Sequence, residues 1–123
     1  GFYVYEKSGP RPNPKAAAFV QNQSSAGFSR EELQERMVLL MIIESARCLE
    51  EQIVAEPADV DFAMVTGIGF APFRGGPLRY ADSLGAEKLV GAMEFLVDAG
   101  AEYFAPPGLL KQVAATKKTF YAR

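Results

Sequence analysis

The residues with chemistry to offer gather between Gly67 and Asp82. Gly67-Ile68-Gly69 has the opening of a dinucleotide fingerprint, in which glycines let the backbone approach a pyrophosphate. That motif also wants a third glycine three residues on, a strand before it and a helix after it. Pro72 occupies the third position, so we reject a dinucleotide site. Arg74 and Arg79 are the second candidate, because two guanidinium groups beside the amino end of a helix starting at Pro77 can hold phosphates. The plainer reading of the pair is an interhelical loop with two solvated arginines, and it is the one the spacing favours. Elsewhere the chain has no histidine, which rules out His-based acids, bases and zinc sites. Cys48 lies within an apolar helical run and reads as a small buried hydrophobe rather than a nucleophile. Glu44 interrupts the same run with Arg47 three residues on, a structural ion pair by default and a functional carboxylate only as the outside reading. No Asp or Glu pair is set in an apolar pocket by spacing alone. No residue is assigned a catalytic, cofactor-binding or metal-ligating role.

What the stretch does carry is conformational constraint. Gly67, Gly69, Gly75 and Gly76 can take positive φ, while Pro72 and Pro77 fix φ and remove two amide donors. Together with Asp82 and Gly85 they make a rigid joint that no regular helix can cross. Phe70 and Phe73 are expected to anchor it to a core, and Pro77 suits the first turn of a new helix.

The joint needs elements on both sides. Ser29-Arg30-Glu31-Glu32 is a capping box, so a helix is predicted from Arg30 to Val54, roughly 37 Å at about 1.5 Å per residue. Leu33, Met37, Leu40 and Met41 form one apolar stripe and Val38, Ile42, Leu49 and Ile53 another. We therefore expect a buried central helix with Met37, Leu40, Met41, Ile42 and Leu49 in the core. After Pro57, Ala58 to Thr66 reads as a shorter helix with Asp59 and Asp61 favouring its amino end. Helices are also predicted over Pro77 to Leu84, Ala86 to Ala99 and Gly108 to Thr119, with Tyr103 to Pro107 as an extended link. Before all of these, Gly1 to Tyr5 is a β-capable stretch, Glu6 to Pro14 a linker, and Asn13 a cap for a brief helix from Pro14 that orders Lys15 to Val20. Gln21 to Gly27 reads as a second flexible connection. The fold class is all-α, with residues 1–28 as the end of a preceding domain plus linker and residues 29–123 as the helical domain.

The 123 residues suffice for one autonomous core. A net charge of −2 gives no basic stripe, which argues against nucleic acid. The longest apolar run, Met37 to Ile43, is too short to span a bilayer. A single cysteine fits a reducing, intracellular setting such as the cytoplasm. The chain opens on Gly1 rather than Met, which suggests a piece of a longer product.

The succession Glu35-Arg36-Met37, Glu44-Ser45-Ala46, Glu51-Gln52-Ile53-Val54, Pro57-Ala58-Asp59-Val60-Asp61, Ala63-Met64, then Gly67-x-Gly69-Phe70-x-Pro72-Phe73-Arg74-Gly75-Gly76-Pro77 and Asp82-x-x-Gly85 resembles the helical carboxy-terminal domain of 3-hydroxyacyl-CoA dehydrogenases. Phe73 to Pro77 is similar to the second copy of that domain in multifunctional β-oxidation enzymes. Gly1-Phe2-Tyr3-x-Tyr5 resembles the end of the copy before it. The resemblance implies an NAD-dependent 3-hydroxyacyl-CoA oxidation in a parent that also carries an enoyl-CoA hydratase. NAD belongs to the parent and not to this piece. Implied partners are the preceding helical copy and the dinucleotide-binding domain, or a second copy of this chain for the isolated piece. Glu35 stands where the catalytic copy has Asn, and Gln52 where glycine is common. The role implied is non-catalytic support by packing on the first helical copy, and the alternative is an acyl-CoA-binding module that holds the CoA phosphates through Arg74 and Arg79.

Overall fold

A computed structural model describes residues 1–19 and 27–121. The connection expected over Gln21 to Gly27, apart from Gly27 itself, lies outside the described residues, as does Val20 at the end of the brief first helix.

The amino-terminal segment departs from the linker reading. Tyr3–Glu6 (β1) pairs antiparallel with Gly9–Pro12 (β2), Tyr3 opposite Pro12 and Glu6 opposite Gly9. Gly9 turns the chain at φ 111, and Glu6 holds Arg11 across the pair at 2.7 Å. In a two-strand ribbon, β2 is an edge strand, and this is why Pro10 and Pro12 are tolerated within it. Asn13 accepts the Lys15 amide at the start of a short helix, Pro14–Ala17 (α1), as expected.

Among the described residues after 27 every regular element is a helix, and the all-α expectation is borne out there. The central helix runs Arg30–Glu50 (α2). Its capping box is in place: the Ser29 hydroxyl accepts the Glu32 amide at 3.1 Å and the Glu32 carboxylate accepts the Ser29 amide at 2.7 Å. Those bonds hold the Glu32 carboxyl below its usual range, the Ser29 amide contributing most. The helix stops four residues short of the predicted end. Gln52 sits at φ 57, a left-handed conformation, while the Ile53 amide returns to the Cys48 carbonyl at 2.9 Å. This is a helix-terminating geometry that favours glycine, the residue that the resemblance leads one to expect at this place.

Four more helices follow: Pro57–Ile68 (α3), Pro77–Leu84 (α4), Ala86–Asp98 (α5) and Gly108–Thr116 (α6). Short 3-10 turns lie at Pro72–Arg74 and Glu102–Phe104. The last helix ends earlier than predicted because Lys117 adopts a left-handed conformation at φ 51.

The buried stripe of α2 is Leu39, Ile42, Ile43 and Ala46, spaced three, four and seven residues along one helix face. Leu39, Ile42 and Ile43 pack with Ala81, Leu89, Met93, Leu96, Phe104 and Leu110 from the helices behind them. Ala46 packs with Val60 and Leu78. The expected core therefore needs correction. Ile42 is fully buried, but Leu40, Met41 and Leu49 are only half-buried and Met37 is 55% exposed. The apolar run around α2 is wider than the surface the described residues cover. Glu44 and Arg47 pair at 2.7 Å on the exposed side, as expected of a structural pair.

Candidate functional site: the joint and the groove beside it

The joint starts at Gly69 rather than Gly67. Gly67 and Ile68 are still helical, and Gly69 at φ 74 ends α3, with the Phe70 amide bonding back to the Met64 carbonyl at 3.0 Å. Gly67-x-Gly69 thus lies at the carboxyl end of a helix, where unpaired carbonyls and the negative end of the helix dipole face outward. A pyrophosphate needs the opposite polarity and a βαβ unit, so these residues do not fit NAD. Phe70 anchors the loop and is 8% exposed. Phe73, expected to do the same, is 87% exposed on the 3-10 turn that Pro72 opens.

Gly75 at φ 79 and Gly76 at φ 110 carry the chain into α4, whose first residue is Pro77. Gly76 stands where a helix ordinarily has a capping side chain. Here the cap comes from elsewhere. The Asp61 carboxylate, on α3, accepts the Leu78 amide at 2.8 Å and the Arg79 amide at 2.9 Å. A side chain at Gly76 would overlap Asp61, so glycine is required on two counts, space and φ. Asp61 was expected to favour the amino end of its own helix; it serves the amino end of α4 instead.

The carboxylate does a third job. The Tyr121 hydroxyl donates to Asp61 at 2.6 Å, and Asp82 accepts the Phe120 and Tyr121 amides at 2.8 and 3.0 Å. The two acids therefore clasp the end of the described chain against α3 and α4. Burial, and then the hydrogen bond to Asp61 and its charge, push the Tyr121 phenol well above its ordinary value, with Arg79 opposing them. Asp61 is the one buried charged side chain among the described residues, 3% exposed. The same device recurs at α6: Glu50, at the end of α2, accepts the Leu109 amide at 3.0 Å, and a side chain at Gly108 would meet it. Among the described residues no buried side-chain polar atom lacks a partner, and no cluster of three or more potential metal ligands forms.

The two arginines read as a phosphate pair stand in different settings. Arg74 lies over the Tyr80 ring at 4.0 Å and lines a groove, whereas Arg79 lies over the Tyr121 ring at 3.9 Å and is not among the groove's lining residues. The amides at the amino end of α4 are already taken by Asp61. A phosphate there would rest on the guanidinium groups alone.

The groove itself has a volume of about 800 Å³. One wall is the amino-terminal half of α2, with Glu31, Glu35, Met37 and Met41. The other is built from Phe70, Arg74, Leu84 and Lys88. Sequence reasoning missed the groove because it assigned Met37 and Met41 to the core. The signal was present in an apolar run extending around most of the helix. The capping role of Asp61 was missed for another reason, since its target amides lie seventeen and eighteen residues away.

The family model described as 3-hydroxyacyl-CoA dehydrogenase, C-terminal domain, matches residues 33–121. The chain is 43% identical over 124 residues to the fatty acid oxidation complex subunit alpha of Shewanella amazonensis (strain ATCC BAA-1098 / SB2B), covering 98% of this chain and 18% of that protein. Proteins of the same description from Acinetobacter baumannii (strain SDF) and Acinetobacter baylyi (strain ATCC 33305 / BD413 / ADP1) are 41% and 40% identical, again over 98% of this chain and 18% of theirs. The chain thus spans less than a fifth of the length of these relatives. Among the described residues no helix is long and apolar enough to cross a membrane.

Proposed function

The chain belongs to the family of 3-hydroxyacyl-CoA dehydrogenase C-terminal domains, and on that premise we propose that it is a non-catalytic helical domain of a longer β-oxidation polypeptide. In this reading residues 29–123 are the second of two helical copies. Residues 1–28 are the end of the preceding domain and its linker. The domain packs against the first copy and supports a dehydrogenase whose NAD and catalytic base are held elsewhere in the parent, which also carries enoyl-CoA hydratase activity. The names of the relatives and the share of their length outside this match support such a parent. A single cysteine suits the reducing compartment in which that chemistry runs.

One observation carries the non-catalytic assignment: Asp61 and Asp82, the carboxylates of the joint, both use their two oxygens to accept backbone amides, and Asp61 a tyrosine hydroxyl as well. Oxidising a secondary alcohol by hydride transfer needs a held cofactor and a base free to take the hydroxyl proton. A carboxylate that caps a helix and clasps a tail is not free, and the sequence contains no histidine to replace it.

Turnover tests the reading. Purified chain given NAD and 3-hydroxybutyryl-CoA is expected to give no growth of NADH absorbance. The full parent polypeptide should oxidise the same substrate, and a parent lacking residues 29–123 should lose thermal stability and dehydrogenase rate together. Activity that follows the isolated chain through purification, or a truncated parent with undiminished rate and stability, would overturn it.

A further inference from the structure

The groove beside the joint has two walls that carry opposite charges among apolar side chains. Glu31 and Glu35 stand on the α2 side with Met37, and Arg74 and Lys88 on the other with Phe70. We propose that this groove seats one amphipathic helix of the parent polypeptide from outside residues 1–123, lying with a basic flank toward α2 and an acidic flank toward Arg74 and Lys88. The inference rests on the supporting role proposed above and names the surface through which it acts.

Three observations choose this occupant. The parent supplies candidates, because more than four-fifths of each relative's length lies outside the match. The charged lining residues come from separate elements, Glu31 and Glu35 from α2, Arg74 from the 3-10 turn and Lys88 from α5, and no buried side-chain polar atom among the described residues lacks a partner. A small-molecule pocket works the other way, through a few convergent polar groups in an apolar cavity. Helix-in-groove recognition reads an apolar stripe in an apolar floor, and flexible methionines such as Met37 suit that contact. The opposed walls then fix direction as well as place, since a reversed charge pattern would set like charges against each other.

The test is thiol labelling read by mass spectrometry on the peptide that carries the new cysteine, with Cys48 replaced by Ser. Met37→Cys, at an exposed position, should label at least tenfold more slowly in the full parent than in the isolated chain. Glu35→Cys on the rim gives the same comparison should Met37→Cys fold poorly. Adding Glu31→Lys to the parent carrying Met37→Cys should return its labelling rate toward that of the isolated chain, whereas no change would overturn the charge assignment. Equal labelling in both contexts would overturn the proposal. If removal of residues 29–123 still cripples the parent in that case, the supporting role survives and only this surface falls. Protection that appears in the isolated chain and grows with its concentration would assign the groove to a second copy instead, and would likewise overturn the proposal.

Discussion

The joint and the groove meet at Phe70 and Arg74, yet they solve the same problem in opposite ways. At the joint, every polar requirement is met from within the chain. The free amides of α4 receive Asp61, the tail receives Asp82 and Asp61, and Gly76 leaves the space that Asp61 fills. Along the groove, Val38 and Met41 of α2 are only half covered by the described residues, and Met37 remains 55% exposed. The difference teaches which surfaces this domain closes for itself and which it leaves to a partner.

The sharpest break of the closed side is Gly76→Ala. A Cβ there both overlaps Asp61 and forces a residue into φ 110. We expect a loss of roughly 3 kcal/mol or more, seen in urea unfolding, from backbone strain and the displaced cap together. A loss under about 1 kcal/mol would mean that Asp61 can cap α4 from another position.

Tyr121→Phe isolates the clasp. Removing a hydroxyl that donates to a carboxylate should cost about 1–2 kcal/mol, the lower part of the range for such bonds because the ring is partly exposed. The effect has a pH signature. The folded phenol is raised above its unfolded value, so its contribution is fully present below the ordinary tyrosine value of about 10 and is lost as pH climbs beyond it. Unfolding curves of the two proteins should therefore lie furthest apart near neutrality and draw together above that value. A gap that stays constant through strongly alkaline pH would mean that the phenol is not tied to Asp61.

Gln52→Gly works in the other direction and is smaller. Glycine takes the left-handed conformation after α2 without the steric cost borne by glutamine, and a gain of up to about 1 kcal/mol is expected in thermal unfolding. Loss of stability would show that the Gln52 side chain earns its place by a contact that outweighs the strain.

Much of this architecture was legible in advance, and what was not has definable causes. Local signals carried furthest: Ser29 with Glu32, Asn13 before Pro14, and Pro77 opening α4 each act within one helical turn, and each is where the residues put it. Interactions at long sequence separation were invisible. Asp61 resembles an ordinary amino-end acid of α3 until the fold brings Leu78 beside it, and Asp82, read as part of the joint, shows no partner until Phe120 and Tyr121 return. The amino-terminal strand pair was hidden for a related reason, since Pro10 and Pro12 argue against a strand unless one edge is left unpaired. The apolar run of α2 reveals that it is covered but not by whom, so Met37 was assigned to the core and the groove went unseen.

Thermal unfolding of Met37→Ser, measured in the isolated chain and again in the full parent, bears most directly on the contrast between the two regions. The isolated chain should be unchanged to within about 0.5 kcal/mol, as for an ordinary surface substitution. The parent should lose about 1–3 kcal/mol, the cost of removing a buried apolar side chain from an interface. Equal destabilisation of the isolated chain and of the parent would place Met37 in the domain's own core and contradict the account.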